Sequence, residues 1–333
     1  MNDTLPVVDV GPLVSSRSSP EERSAVGAAL GAACREWGFF YIEGHGVPPE
    51  LERRLEDVSR AFFALDLDAR MQIRMERGGR AWRGYFPVGD ELTSGQPDRK
   101  EGLYFGAELA PDHPLVQAGT PMYGPNLWVP LPGFREAVLA WMDAMAQLGH
   151  ALVAGMALGL GLPEAYFAER YTRDPLTLFR IFHYPAMPSV DASEPVWGVG
   201  EHTDYGLLTI LKQDDVGGLE VRAGGRWVAA PPRPGTFVCN LGDMLDRITG
   251  GFYRSTPHRV RAPASQNRLS FPFFFDPSFF AEVHPIALGA SVADDQHERW
   301  DRASVHAFRG TYGNYLLEKV ARVFPQLSAS VRR

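Results

Sequence analysis

The spacing of apolar and polar residues changes period once along this chain. Before about residue 175 the repeat is helical. Val26, Leu30, Ala33 and Trp37 recur at helical steps in "SPEERSAVGAALGAACREWG", with Ser19 as N-cap and Pro20 in the first helical position. Leu51, Leu55, Val58 and Phe62 mark a second helix over roughly 50–65. Phe134, Val138, Trp141, Met145, Leu148 and Leu152 give a long one from about 132 to 160, and this stripe reads as core packing. "LPVVDV" and "FFYIEGHGV" are short strands on either side of the first helix. Residues 75–130, rich in Gly and Pro, carry no clear period and read as irregular. A loop that long in a compact domain is usually functional or disordered, and its aromatics argue for function.

After Pro175 the period becomes two. "LTLFRIFHYP", "HTDYGLLTIL", "GLEVRAG", "RWVAAP", "GTFVCNLG", "HRVRAP" and "RLSFPFFFDP" are short strands separated by turns such as "DDVGG" and "AGGR". Such regular spacing predicts a β-sandwich or barrel. "RASVHAFRGTYGNYLLEKVARVF" then closes the chain as an amphipathic helix. The expected organisation is one integrated unit. It comprises an N-terminal region over 1–130, a supporting helix over 131–174, a catalytic β core over 175–285 and a helical C-terminal segment over 286–333.

Composition narrows the class. The chain has 333 residues, 45% of them apolar and 22% charged, as expected of a soluble globular protein. Its net charge of −7 and the absence of a basic stripe argue against a nucleic-acid partner. The two cysteines, Cys34 and Cys239, exclude a disulfide framework and suit a reducing cytosol, and Cys239 reads as a buried thiol. "MNDTLPVVDV" has no signal-peptide character and "QLGHALVAGMALGLGLP" falls short of a membrane span. The expectation is a cytoplasmic protein without membrane or nucleic-acid partners.

The chemistry centres on "GEHTDYGLLTIL". Side chains alternate along a strand, so His202 and Asp204 point the same way. Two histidines and a carboxylate hold non-haem iron on one face and leave the other open. The third donor has to come from another strand, and His258 in "STPHRVRAP" is the best placed. His284 and His297 are weaker candidates. A catalytic zinc site is also chemically allowed, although no general base stands beside these residues. On the returning strand "RLSFPFFF", Arg268 and Ser270 share one face, and Leu269, Phe271, Phe273 and Phe275 take the other. An arginine among apolar rows is costly unless it meets an anion, and its planar fork suits a carboxylate. An open metal at one end of a pocket, with Arg and Ser at the other, fits a short dicarboxylate.

Together "HTDYGLLTIL", "STPHRV" and "NRLS" resemble the Fe(II)/2-oxoglutarate-dependent dioxygenases, in the branch that includes isopenicillin N synthase. The likeness extends to "LPVVDVGPL", "REWGFFYIEGHGV" and "GTFVCNLGDMLDRITGGFYRSTPHRV", and so to nearly the whole chain. It implies a mostly β fold: a double-stranded β-helix (jelly roll) core with an N-terminal helical region and a C-terminal helix. It implies iron ligands at His202, Asp204 and His258. It also implies 2-oxoglutarate binding at Arg268 and Ser270, helped by Tyr184, with O2 as the further co-substrate. The implied activity is oxidation of a C–H bond in a small polar metabolite, with release of succinate and CO2. "YPAMP" replaces the Tyr-Pro-Pro-Cys run common in the plant branch, which argues against a plant-type substrate. Isopenicillin N synthase carries a glutamine near its last residue; here Gln326 is set further back, before "SASVRR".

Substrate contacts are expected from Arg83, Tyr85, Glu101 and Tyr104 in the irregular segment, from Arg180 on a strand, and from Phe308 and Tyr312 near the C-terminus. Tyr205 and His183 read as core or supporting residues. The rival readings are a 2-oxoglutarate-independent oxidase of the isopenicillin N synthase type, an ethylene-forming-type fragmentation of 2-oxoglutarate, and a jelly-roll binding protein with a vestigial metal site.

Overall fold

The computed structural model describes residues 4–93, 95–187, 196–289, 296, 299 and 302–324; His297 and Gln326 lie outside them. Strands β1 (Val7–Asp9), β2 (Phe39–Glu43), β3 (Gly84–Phe86), β4 (Leu92–Thr93), β5 (Gln96–Pro97) and β6 (Glu101–Gly106) precede the long helix Phe134–Gly159. After it come β7 (Leu176–Tyr184), β8 (Trp197–His202), β9 (Leu208–Gln213), β10 (Leu219–Ala223) and β11 (Arg226–Ala229). Strands β12 (Phe237–Leu241), β13 (His258–Arg261) and β14 (Arg268–Asp276) complete the set. They form an eight-stranded sheet, ordered β1-β2-β12-β9-β14-β7-β6-β3, and a four-stranded sheet, ordered β11-β10-β13-β8; β4 and β5 pair separately. This is the jelly-roll architecture with helices packed outside it.

Period-two alternation gives the large sheet two working faces. On β14, Leu269, Phe271, Phe273 and Phe275 enter the core beneath the helices, while Arg268, Ser270, Pro272, Phe274 and Asp276 face the space between the sheets. On β2, Phe40 and Ile42 join the helix-side core. Phe39 and Tyr41 join a smaller core between the sheets with Val199, Val221 and Val260.

The helix Pro20–Glu36 starts as expected. The Ser19 hydroxyl accepts from the Glu22 N–H, and the Glu22 carboxylate accepts from the Ser19 N–H, so two otherwise unpaired donors are satisfied. Helix Phe134–Gly159 is long and apolar enough to cross a bilayer by length and composition. Here its stripe of Phe134, Val138, Trp141, Met145, Leu148 and Leu152 is buried in the protein core. Gly149 lets it approach the sheet, since a Cβ there would come within 2.5 Å of the Phe275 ring. Both cysteines are free and buried.

Two expectations need correction. The segment 75–130 is not irregular throughout: β3 and β6 extend the large sheet beside β7. "HTDYGLLTIL" is not one strand either: β8 ends at His202, a turn follows, and β9 begins at Leu208.

Candidate active site

Register brings the candidate metal donors together. In the antiparallel pair β8/β13, His258 lies directly opposite His202, and their ring centroids are 4.1 Å apart. Asp204 follows in the turn after β8. Its Oδ1 lies 3.9 Å from His202 Nε2 and 3.8 Å from His258 Nε2, and the three donor atoms fall within 4.8 Å of one another. Each imidazole is oriented from behind. His202 Nδ1 is 2.8 Å from the Gly200 carbonyl and His258 Nδ1 is 3.3 Å from the Thr256 carbonyl. A carbonyl only accepts, so each Nδ1 carries the proton and each Nε2 keeps its lone pair for the centre.

The carboxylate is held in the same way. Asp204 Oδ2 accepts from the Thr209 hydroxyl and, at 2.6 Å, from the Asn240 amide, which leaves Oδ1 facing the imidazoles. Burial opposes its ionisation, but the imidazoles of His258 and His202 and these two hydrogen bonds outweigh burial and hold it below its usual range. Burial, aided by His202, pushes the His258 imidazole down to about 4. At neutral pH Asp204 is therefore an anion and His258 a neutral base. Two imidazoles and a carboxylate, with no thiol present, fit ferrous iron.

The turn between β8 and β9 depends on Gly206. A Cβ at this position would stand 1.4 Å from Asp276 Oδ1. The same oxygen accepts from the Leu207 N–H at 3.2 Å, which anchors the turn to the end of β14.

Arg268 tests the fit of 2-oxoglutarate. It is only 1% exposed, yet its Nε and Nη1 have no hydrogen-bond partner. Nη2 makes one long contact, 3.4 Å to Gln213 Oε1. Arg268 pairs in register with Tyr184, and its guanidinium carbon lies 4.8 Å from that ring centroid. A permanent buried cation with unmet donors calls for an anion. Ser270, on the same face, brings a hydroxyl to the same cavity.

That cavity, of about 140 Å³, is shared by the triad, Arg268, Ser270 and Tyr184. Of the expected substrate contacts, Tyr104, Arg180 and Tyr312 line it, but Arg83, Tyr85, Glu101 and Phe308 do not. The reason is strand parity. Tyr104 faces the cavity, so Glu101, three residues earlier on β6, faces away. Tyr85 pairs with Leu103 and shares that outer face, where its hydroxyl donates to Glu101. His183 stands opposite Glu101 and bonds it at 2.8 Å, and Arg70 completes the cluster. Arg83 is buried and donates to the carbonyls of Ala107, Met122 and Gly124. Phe308 precedes the C-terminal helix Tyr312–Val323 and packs edge-on against Tyr315.

Several cavity residues escaped the sequence reading. Lys100 shares the parity of Tyr104, faces the cavity, and pairs with Glu91 at 2.7 Å and with Asp98. Glu91 also accepts from the Tyr104 hydroxyl. Asp276 ends the inward row of β14, with the Tyr312 hydroxyl bonded to it. Tyr205, expected as a core or supporting residue, packs against the core and also lines the cavity. Helix Tyr312–Val323 supplies an apolar wall through Leu316, Val320 and Val323. Alternation within "DRKEGLY" was the available signal for Lys100. The other contacts depend on distant elements.

Residues 5–131 match the family described as non-haem dioxygenase in morphine synthesis N-terminal, and residues 175–277 match the 2OG-Fe(II) oxygenase superfamily. The chain is 47% identical to a probable iron/ascorbate oxidoreductase of Dictyostelium discoideum, over 99% of this chain and 97% of that protein. It is 37% identical to a 1-aminocyclopropane-1-carboxylate oxidase of the same organism, over 97% and 96%. Among solved structures, a full-length Neurospora crassa protein in complex with alpha-KG and thymine superimposes with a TM-score of 0.78. That pair shares 26% identity over 95% of this chain and 96% of the other. The chain belongs to the 2OG-Fe(II) oxygenases of the isopenicillin N synthase-like superfamily. It is an enzyme that uses iron, 2-oxoglutarate and O2 and acts on a small molecule.

Proposed function

We propose that His202, Asp204 and His258 bind the ferrous ion and that Arg268, Ser270 and Tyr184 receive the far carboxylate of 2-oxoglutarate. The reaction is oxidation of a C–H bond in a small polar metabolite, with hydroxylation as the simplest outcome. The bound iron would supply oxygen activation, driven by oxidative decarboxylation of 2-oxoglutarate to succinate and CO2. The chain supplies position and shelter. Gly200 and Thr256 fix the imidazole tautomers through their carbonyls. Thr209 and Asn240 aim the carboxylate. The apolar face of helix Tyr312–Val323 screens the cavity from water. The observation that carries this reading is Arg268: two buried, partnerless guanidinium nitrogens in the cavity that the triad also lines. The polar lining supports a polar substrate, as does a relative whose name gives an amino acid as its substrate.

The test is succinate release from 2-oxoglutarate with Fe(II), screened against small metabolites. Stimulated release that is lost in His258→Ala supports the proposal. Oxygen consumption without succinate would instead indicate a 2-oxoglutarate-independent oxidase.

A further inference from the structure

The cavity holds a second arginine with unused donors. The inward residues of β7 are Leu178, Arg180, Phe182 and Tyr184, all lining the cavity. Tyr184 and Phe182 stand in register with Arg268 and Ser270. Arg180 lies beyond them, its Cα about 13 Å along the strand from that of Tyr184 at the usual rise per residue. Its guanidinium carbon sits 3.2 Å from the Tyr104 ring centroid and 5.3 Å from that of Phe274. Stacking fixes the plane of the guanidinium and leaves its N–H edge unoccupied. Among the described residues no hydrogen bond or ion pair involves the Arg180 side chain.

The two nearest acids are already engaged. Glu91 takes Lys100 and the Tyr104 hydroxyl. Asp276 takes the Tyr312 hydroxyl and the Leu207 N–H. Both feel the charge of Arg180 without contacting it. The two ends of 2-oxoglutarate are also accounted for, one at the triad and one at Arg268, if the proposed function holds. A flat, oriented guanidinium with free donors is a bidentate carboxylate receptor.

The distribution of acids and bases narrows the class further. Glu91, Asp98, Asp204 and Asp276 stand against Lys100, Arg180 and Arg268 in and around the cavity. A ferrous ion and dianionic 2-oxoglutarate cancel each other. A simple anion would bring no donor to Asp276, whereas a zwitterion brings a cationic donor to this wall along with its carboxylate. Asp276 is a buried carboxyl with no cationic partner in contact among the described residues, and it lies on the same wall as Arg180.

We infer that the primary substrate is an amino acid bound as its zwitterion, with its carboxylate on Arg180 and its cationic group toward Asp276. This rests on the proposed function of the same site. The test uses the Fe(II)-loaded chain with 2-oxoglutarate. Succinate release is measured with the protein L-amino acids, each beside its amide and its decarboxylated amine. At least one amino acid should stimulate release, and its amide should not. Arg180→Met and Arg180→Lys should raise the KM for that amino acid by about 10- to 100-fold, the loss expected for one charge-assisted contact. In both variants the anaerobic visible band of the Fe(II)–2-oxoglutarate chelate should remain. An unchanged KM in Arg180→Lys, stimulation by the amide, or a panel with no stimulating amino acid would each overturn the inference while the band persists. Absence of the band in the unaltered protein would overturn the underlying reading instead.

Discussion

His258 lies directly opposite His202 across the antiparallel strands β8 and β13, with both Nε2 atoms turned toward Asp204 Oδ1. Strand register, not sequence proximity, makes this a three-donor site, and the groups behind the donors keep it in shape.

Asn240 is one of those groups. Its amide donates to the Asp204 oxygen that faces away from the imidazoles. Asn240→Ala should weaken Fe(II) binding by about 10- to 100-fold, the usual cost of losing such a support. Competition against a chelator measures this, with circular dichroism checking that the fold is kept.

Arg268 makes a paired prediction. Arg268→Lys keeps the charge but loses the fork, so the KM for 2-oxoglutarate should rise by about 10- to 100-fold. Without ligand, Arg268→Met should be no less stable than the parent chain, because it removes a buried cation whose donors are largely unmet. Thermal melts with and without 2-oxoglutarate check both: the ligand-induced rise in Tm should vanish in Arg268→Met.

The Arg268–Ser270 pair was legible in the sequence because parity within β14 places both on one face. His202 and Asp204 were singled out by a strand parity that does not apply, since Asp204 lies in the turn after β8, and His258 joins them through strand register. Tyr85 and Glu101 were misread because parity inside an unrecognised strand could not be applied. With β6 known, Tyr104 inward forces Glu101 outward and brings Lys100 in. Arg83 was illegible for another reason: its partners are all backbone carbonyls, which leave no side-chain signature. On helix Tyr312–Val323, Tyr312, Leu316 and Val320 follow the four-residue step into the cavity, whereas Phe308 lies before the helix begins.

Arg83→Met should therefore act on stability and not on co-substrate binding. It strands three buried carbonyls and should cost on the order of 3 kcal/mol. Chemical denaturation should show the loss, with the KM for 2-oxoglutarate within about twofold of the parent value, since one buried contact is worth far more than that.

Asp276 gives a pH dependence. Burial raises its carboxyl from the usual carboxylate range to about 7, partly offset by the Tyr312 and Leu207 hydrogen bonds. The folded state holds this proton more tightly than the unfolded chain. This group therefore erodes stability as pH rises from about 4 to 7, and the loss is complete above 7. In metal-free protein, Asp276→Asn should be more stable than the parent at pH 8, by up to about 4 kcal/mol, the equivalent of the shift. The gap should close toward pH 4. A difference independent of pH would contradict the assignment.

The most direct test of the central claim is an anaerobic titration of Fe(II) into the protein with 2-oxoglutarate, followed by visible absorption. The account predicts a chelate band that saturates at one iron per chain and disappears in each of His202→Ala, Asp204→Ala and His258→Ala. A band of full intensity in any of these variants would contradict the assignment of that residue to the metal, and its persistence in all three would place the iron elsewhere.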